Sequence, residues 1–243
     1  MKRNLYIGTA GWSNPPTARR ARPAAESHLQ HYAARFNAVE INSSFYRPHQ
    51  RETYERWRDS TPAGFRFAVK APQTVTHECG LRHYRTPLRQ FLEEIAGLGR
   101  KLRVILVQTP ASLPFESRVA TRFFATLTAA TPCRIACEPR HPSWFSARAE
   151  DTLRRYDVSR VAADPAKIPG AGEPSGAAQW VYYRLHGSPR MYYSSYSADY
   201  LRELSEKLKT LRGPVKETWC VFDNTARHAA WDNALDLHKL LRG

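Results

Sequence analysis

Apolar runs recur along the chain at residues 4–9, 38–42, 65–70, 103–108, 134–138, 159–164, 180–186 and 218–223. Most are nearly unbroken and rich in Val, Ile, Phe and Tyr. Such runs fit parallel strands covered on both faces better than the alternation of a half-exposed sheet. Segments with helical spacing lie between them. In "AAESHLQHYAARF", Leu29, Tyr32, Ala33 and Phe36 fall on one stripe. "HQRETYERWRDS", "PLRQFLEEIAGLG", "ESRVATRFFATLTAA", "SADYLRELSEKLKTLRG" and "HAAWDNALDLHKLL" read the same way. Pro87 suits a first helical turn, and Gly213 suits the position just past a helix end.

Strand and helix alternate from one end to the other, which predicts a parallel α/β fold. Eight such units in one chain fit a single TIM-like (β/α)8 barrel domain over residues 1–243. One unit breaks the rule. "PAKIPGAGEPSGAAQ", between the sixth and seventh strands, is rich in Pro and Gly, so a loop is expected in place of helix six.

The strands end in polar residues, and in a closed barrel alternate residues face inward. Val104, Leu106 and Gln108 share a side, as do Glu40 and Asn42, Ala68 and Lys70, and Ala136 and Glu138. Ala162 pairs with Asp164 in this scheme, and Tyr182 with Arg184 and His186. One choice of facing brings Glu40, Lys70, Gln108, Glu138, Asp164, Arg184 and His186 to the C-terminal mouth, where barrel enzymes place their sites. Buried charges can also pair simply to close a core. Seven polar groups from six strand ends are more than closure needs, and convergent polar groups in a concave mouth mark a site. Which of Asp223 and Asn224 faces inward is left open; Asn224 is taken as the ligand contact.

Composition adds a core and a charge. Hydrophobic residues make up 42% of the 243, enough for a full core. No run is long enough for a membrane-spanning helix, no secretory signal is visible, and a cytoplasmic location is expected. Cys79, Cys133, Cys137 and Cys220 form no CxxC or zinc-type spacing and read as buried reduced thiols. Thirty-seven Lys and Arg against 22 Asp and Glu give a formal charge of +15. That admits a polyanionic partner such as nucleic acid. The densest cluster, "ARRAR" at 18–22, is short.

Taken together, "IGTAGW" at 7–12, "FNAVEINSSFYRP" at 36–48, "TPAGFRFAVKAP" at 61–72, "LVQTPASLPFE" at 106–116, "CEPRHPSWF" at 137–145, "YYRLHG" at 182–187 and "VFDN" at 221–224 resemble domain-of-unknown-function family 72, the YecE-like proteins. The resemblance runs in order from the first strand to the last. It implies a TIM-like barrel and no particular activity. Two departures stand out: "SNPPTARRARPA" replaces the family's longer aromatic-rich segment after the first strand, and Asp223-Asn224 replaces its usual Asn-Asn.

The mouth supports several chemistries. Glu40 and Glu138 can act as acid and base, or simply pair with Lys70, Arg140 or Arg184. Lys70 can be a general base, a Schiff-base nucleophile or an anion contact; charge pairing or anion binding is preferred. Arg140 and Arg184 suit phosphate or carboxylate, and His141 or His186 can move a proton near neutral pH. Trp12, Tyr46, Trp144, Tyr192, Tyr193 and Tyr196 offer stacking faces, and the loop "GSPRMYYSSYS" is a candidate lid. No HxH or HExxH pattern is present; no cofactor is expected, and a divalent metal is disfavoured beside Lys70 and Arg184. The leading expectation is a hydrolase or lyase type enzyme acting on a small anionic or phosphorylated ligand. Its catalytic residues would be Glu40, Glu138, Lys70 and His186. Asn42, Tyr46, Gln108, Arg140, His141, Asp164, Arg184, Asn224, Trp12 and Tyr193 would contact the ligand. The alternatives are a nucleic-acid-binding protein and a glycoside-processing enzyme.

Overall fold

A computed structural model describes residues 4–16, 18, 27–211 and 215–242. Gly213 and, apart from Ala18, the "ARRAR" cluster lie outside the described residues, as does most of "SNPPTARRARPA" after Pro16. The strands are β1 (Asn4–Thr9), β2 (Ala38–Ile41), β3 (Arg66–Lys70), β4 (Leu102–Gln108), β5 (Arg134–Glu138), β6 (Ser159–Arg160), β7 (Ala162–Asp164), β8 (Ser175–Gly176), β9 (Trp180–Leu185) and β10 (Glu217–Phe222). The helices are α1 (His28–Ala33), α2 (Arg51–Asp59), α3 (Arg85–Ile95), α4 (Ser117–Ala130), α5 (Ala147–Arg155), α6 (Ala198–Thr210) and α7 (Ala229–Arg242). This is the expected parallel α/β organisation.

Hydrogen bonding orders one sheet as β1-β10-β9-β7 and the other as β2-β3-β4-β5-β6-β8. Every pairing in them is parallel except the short β6–β8 pair. The sheets meet twice. Val161 joins β6, bound to β5, to β7, bound to β9, and its amide donates to the Cys137 carbonyl at 2.8 Å. At the other seam, Ala10 bridges to Glu40 just past the end of β1.

That second seam is stitched largely by side chains. The Asn37 amide donates to Leu5 O at 2.7 Å and accepts from Ile7 N at 3.0 Å. The Tyr32 hydroxyl accepts from Thr9 N at 2.8 Å and donates to Ala38 O at 3.0 Å. Gly8 permits this approach: a Cβ there would lie 2.0 Å from Ala38 O.

Alternation along the strands sorts the core into two layers. Ile7, Val39, Val69, Val107, Cys137, Leu185 and Phe222 face the helices. Ala38, Ala68 and Ala136 face inward, against Trp180, Tyr182 and Trp219. Large rings on β9 and β10 thus fill the space that alanines leave on β2, β3 and β5. At the N-terminal strand ends, buried Glu217 accepts from Arg103 (3.1 Å), Arg134 (3.2 Å) and Trp219 Nε1 (2.9 Å), which closes that end.

Residues 165–179 contain no α-helix; β8 pairs back on β6 there. Helix α5 was not among the helical segments read from the sequence. It buries Ala149, Thr152 and Leu153 of its nine residues. Cys137 and Cys220 are buried, but Cys79 and Cys133 are only half-buried, which corrects the expectation for those two thiols. No helix among the described residues is long and apolar enough to cross a membrane.

Candidate functional site

Strand β9 brings Tyr182 and Arg184 to the inner face, and His186 continues the same side past its end. Arg184 is 1% exposed, yet three carboxylates surround it. Its Nη2 lies 2.8 Å from Glu40 and 3.0 Å from Asp223, and its Nη1 lies 2.9 Å from Glu138. The Tyr182 hydroxyl donates to Glu40 at 2.8 Å. A buried carboxylate is tolerated only when its lone pairs are met, and these donors meet them.

His186 bridges two of these carboxylates. Its Nδ1 is 3.0 Å from Asp223 and its Nε2 is 3.2 Å from Glu138. Both nitrogens can satisfy anionic acceptors only if both carry protons, so the geometry calls for imidazolium. Burial opposes that charge, but Glu138 and the Asp223 bond outweigh it and raise the His186 pKa. Burial would likewise push the Glu138 carboxyl up; Arg184, His186 and Arg140 together hold it well below the usual carboxylate range. Asp223 is lowered in the same way by Arg184 and His186.

A cavity of about 210 Å³ opens at this cluster, walled by Glu138, Arg140 and His186 with Lys167, Ile168 and Met191. Arg140 grips Glu138 at 3.1 Å while leaving 34% of its side chain exposed. Tyr192 packs beside His186. Its φ is 68°, rare for a residue with a Cβ, and its amide donates to His186 O at 2.5 Å. Its ring meets the His186 ring edge-on, with centroids 5.8 Å apart. Beside the cluster, Lys70 is 6% exposed, with Nζ 4.0 Å from the centre of the Phe45 ring. Gln108 is 5% exposed and its Nε2 has no partner among the described residues.

Over residues 6–243 the chain matches the family described as "Protein of unknown function DUF72". The chain belongs to this family. YecE of Escherichia coli K12 is 32% identical over 179 residues, 71% of this chain and 64% of the relative, so the alignment spans less than two thirds of YecE. YunF of Bacillus subtilis is 26% identical over 98% of this chain and 94% of its own length. A solved DUF72 structure from Thermotoga maritima superposes with a TM-score of 0.82 at 28% identity, covering 99% of this chain and 100% of that one.

Within this DUF72 fold, the residues expected at the mouth separate into three groups. Glu138, Arg140 and His186 line the cavity; Arg184 is bonded to Glu138 behind them, and Lys70 and Gln108 are buried at the ends of β3 and β4, outside the lining. Glu40 sits deeper: it is 0% exposed, and both its oxygens are taken by Arg184 and Tyr182. Its expected catalytic role is corrected to holding Arg184, and Arg184 in turn is a scaffold with no exposed face for a ligand. The Arg184 guanidinium bonds both Glu40 and Glu138, an arrangement unlike the open carboxylate pair used in glycoside cleavage.

The third group lies elsewhere. Asp164 faces the helix side and accepts from the Tyr196 hydroxyl at 2.7 Å. The inward residue of that stretch is Val161, so the assumed alternation was off by one. Asn224 is fully buried and ties Ser194 to Asn233, whereas Asp223 takes the inward place. His141 caps the turn at Pro142–Phe145 by accepting from Ser143 N. Tyr46 lines an outer groove beside Gln90 and Glu94. Tyr193 lies under Arg190, 4.1 Å from its ring centre. Trp144 is buried, its Nε1 donating to Leu113 O. Trp12 and Asn42 border a larger cavity of about 510 Å³ between the ends of β1 and β2, which includes no member of the ionised cluster. The smaller cavity is therefore the better candidate: it holds the chemistry. Asp223 was missed although it continues the inward series Trp219, Val221; the register partner of Val221 is Arg184.

Proposed function

We propose that the chain is an enzyme performing acid–base chemistry on a small anionic ligand at the mouth of a (β/α)8-type barrel. The barrel reading rests on the two parallel sheets meeting at Val161 and at Ala10–Glu40. The function rests on one observation: a cavity whose wall joins a doubly hydrogen-bonded imidazolium, His186, to the half-exposed guanidinium of Arg140. His186 delivers the proton, Glu138 and Asp223 hold its ring in place, and Arg140 binds the anion.

Melting temperatures of the wild type and Arg140→Ala, measured with inorganic phosphate, citrate and glyoxylate, test this. Stabilisation by at least one anion, lost in the variant, is the supporting result; ligand binding to the folded state alone raises the transition as ln(1 + [L]/Kd). Equal shifts in both proteins would overturn it. Arg184→Ala is the wrong probe, since it would remove the guanidinium that three buried carboxylates share and so threaten the fold.

We infer a second reading from the exterior. A groove of about 390 Å³ is lined by Arg82, His83, Arg118 and Arg122, a surface suited to a polyanion.

A further inference from the structure

A charged Lys70 would unbalance the buried ions of the mouth. Glu40, Glu138 and Asp223 are matched one for one by Arg184, Arg140 and doubly protonated His186. An ammonium on Lys70 would be a fourth cation with no counter-charge. No carboxylate lies within ion-pair distance of its Nζ among the described residues, although Glu138, Glu40 and Asp223 all act on it from β5, β2 and past β10. Arg184 from β9 repels it, and His77 from the turn after β3 feels its charge together with that of Arg140. The Phe45 ring faces it, its centre 4.0 Å from Nζ. Beside it, the buried Gln108 amide has a donor with nothing to bind.

We propose that Lys70 is an imine-forming residue and that the substrate class is a small oxo acid. The proposal rests on the acid–base reading of the mouth and extends it. The neutral amine attacks the carbonyl carbon and forms the C–N bond. The carbonyl oxygen takes up the amine proton; the resulting hydroxyl then leaves as water, with a second proton supplied by His186. The product is a protonated imine on Lys70, and His186 regains its proton from solvent. Charge balance selects the substrate. The iminium is the fourth cation, and the carboxylate of an oxo acid supplies the missing anion, held by Arg140 and the free Gln108 amide. Burial, with Arg184 next to it, lowers Lys70 to about 8, so free amine is present near neutral pH.

The test is reductive trapping on the full chain. Wild type is incubated at pH 7 with glyoxylate and cyanoborohydride, digested, and each lysine scored by mass spectrometry. An amine near 8 holds roughly two orders of magnitude more free base at pH 7 than an ordinary lysine. Lys70 should therefore be alkylated at least about tenfold faster than exposed Lys239 or Lys209, despite its burial. Glycolaldehyde, which lacks the carboxylate, should label it more slowly, and Arg140→Ala should erase that preference. Lys70→Met cannot form an imine, adds no uncompensated cation to a site that is 6% exposed, and should leave that peptide unlabelled in a chain that melts no lower than wild type. Labelling of Lys70 no faster than Lys239 in folded wild type overturns the imine. If anion stabilisation through Arg140 persists in that case, the acid–base reading stands without it; if both fail, the reading of the mouth fails as a whole.

Discussion

His186 is the residue on which the proposed chemistry turns, and its environment makes a pH prediction. Two carboxylates and one imidazole share a protonated bridge at 3.0 and 3.2 Å. Burial lowers the tendency to hold a proton, the carboxylates raise it, and the carboxylates win. A histidine whose folded pKa is raised stabilises the fold fully below its unfolded value of 6.5. That contribution disappears as the pH climbs through the higher folded value. His186→Gln should thus cost about 1.5–3 kcal/mol at pH 6, the worth of hydrogen bonds to charged groups. The gap between variant and wild type should narrow steadily toward pH 9. Urea denaturation across that range checks it. A gap that is constant or widens with pH would mean that the ring is neutral in the folded chain and that the bridge carries no proton.

At the scale of elements, the β1–β2 seam depends on a helix residue. Tyr32 of α1 places one hydroxyl between Thr9 N and Ala38 O, where a continuous ladder would have paired the strands directly. Tyr32→Phe should orphan both backbone groups and cost about 1–3 kcal/mol, with faster hydrogen exchange at the Thr9 amide than at β9 or β10 amides. Unchanged exchange at Thr9 would show that the seam holds without the hydroxyl. Such seams also mark the limit of what the chain discloses. The strands were legible because both faces are buried and most of the runs are nearly unbroken in apolar residues. The convergence of Lys70, Glu138, Arg184 and His186 was legible because alternation carries each side chain inward. Asp164 was misplaced because its carboxylate was taken to mark the inward side, whereas Ser159, opposite inward Ala136, and Val161 set the other phase. Asp223 was passed over for Asn224 because both are short and polar; only the register of β10 against Arg184 separates them. Glu40 looked catalytic because a sequence shows a carboxylate at a strand end, but not the guanidinium that will cover it.

Across the whole molecule the formal charge of +15 must be reconciled with a mouth that is nearly neutral. The ionised cluster balances itself, so the excess lies on the exterior, and the groove holding Arg82, His83, Arg118 and Arg122 is one place where it gathers. Arg118 and Arg122 stand one turn apart on α4, spaced to meet successive phosphates. The Glu116 carboxylate already engages Arg82, leaving those two as the freer cations. A single-stranded oligonucleotide should bind weakly and without sequence preference, with affinity falling steeply as salt rises. Each phosphate contact contributes about 0.7 to the slope of log K against log salt for single strands. Arg118→Glu with Arg122→Glu should therefore reduce the slope by about 1.4. Arg140→Ala should leave it unchanged, because the mouth is too small and too well paired to admit a chain. Fluorescence anisotropy at several salt concentrations separates the two surfaces. A slope that responds to Arg140 but not to the α4 pair would move polyanion binding into the mouth and make the small-anion site its entrance.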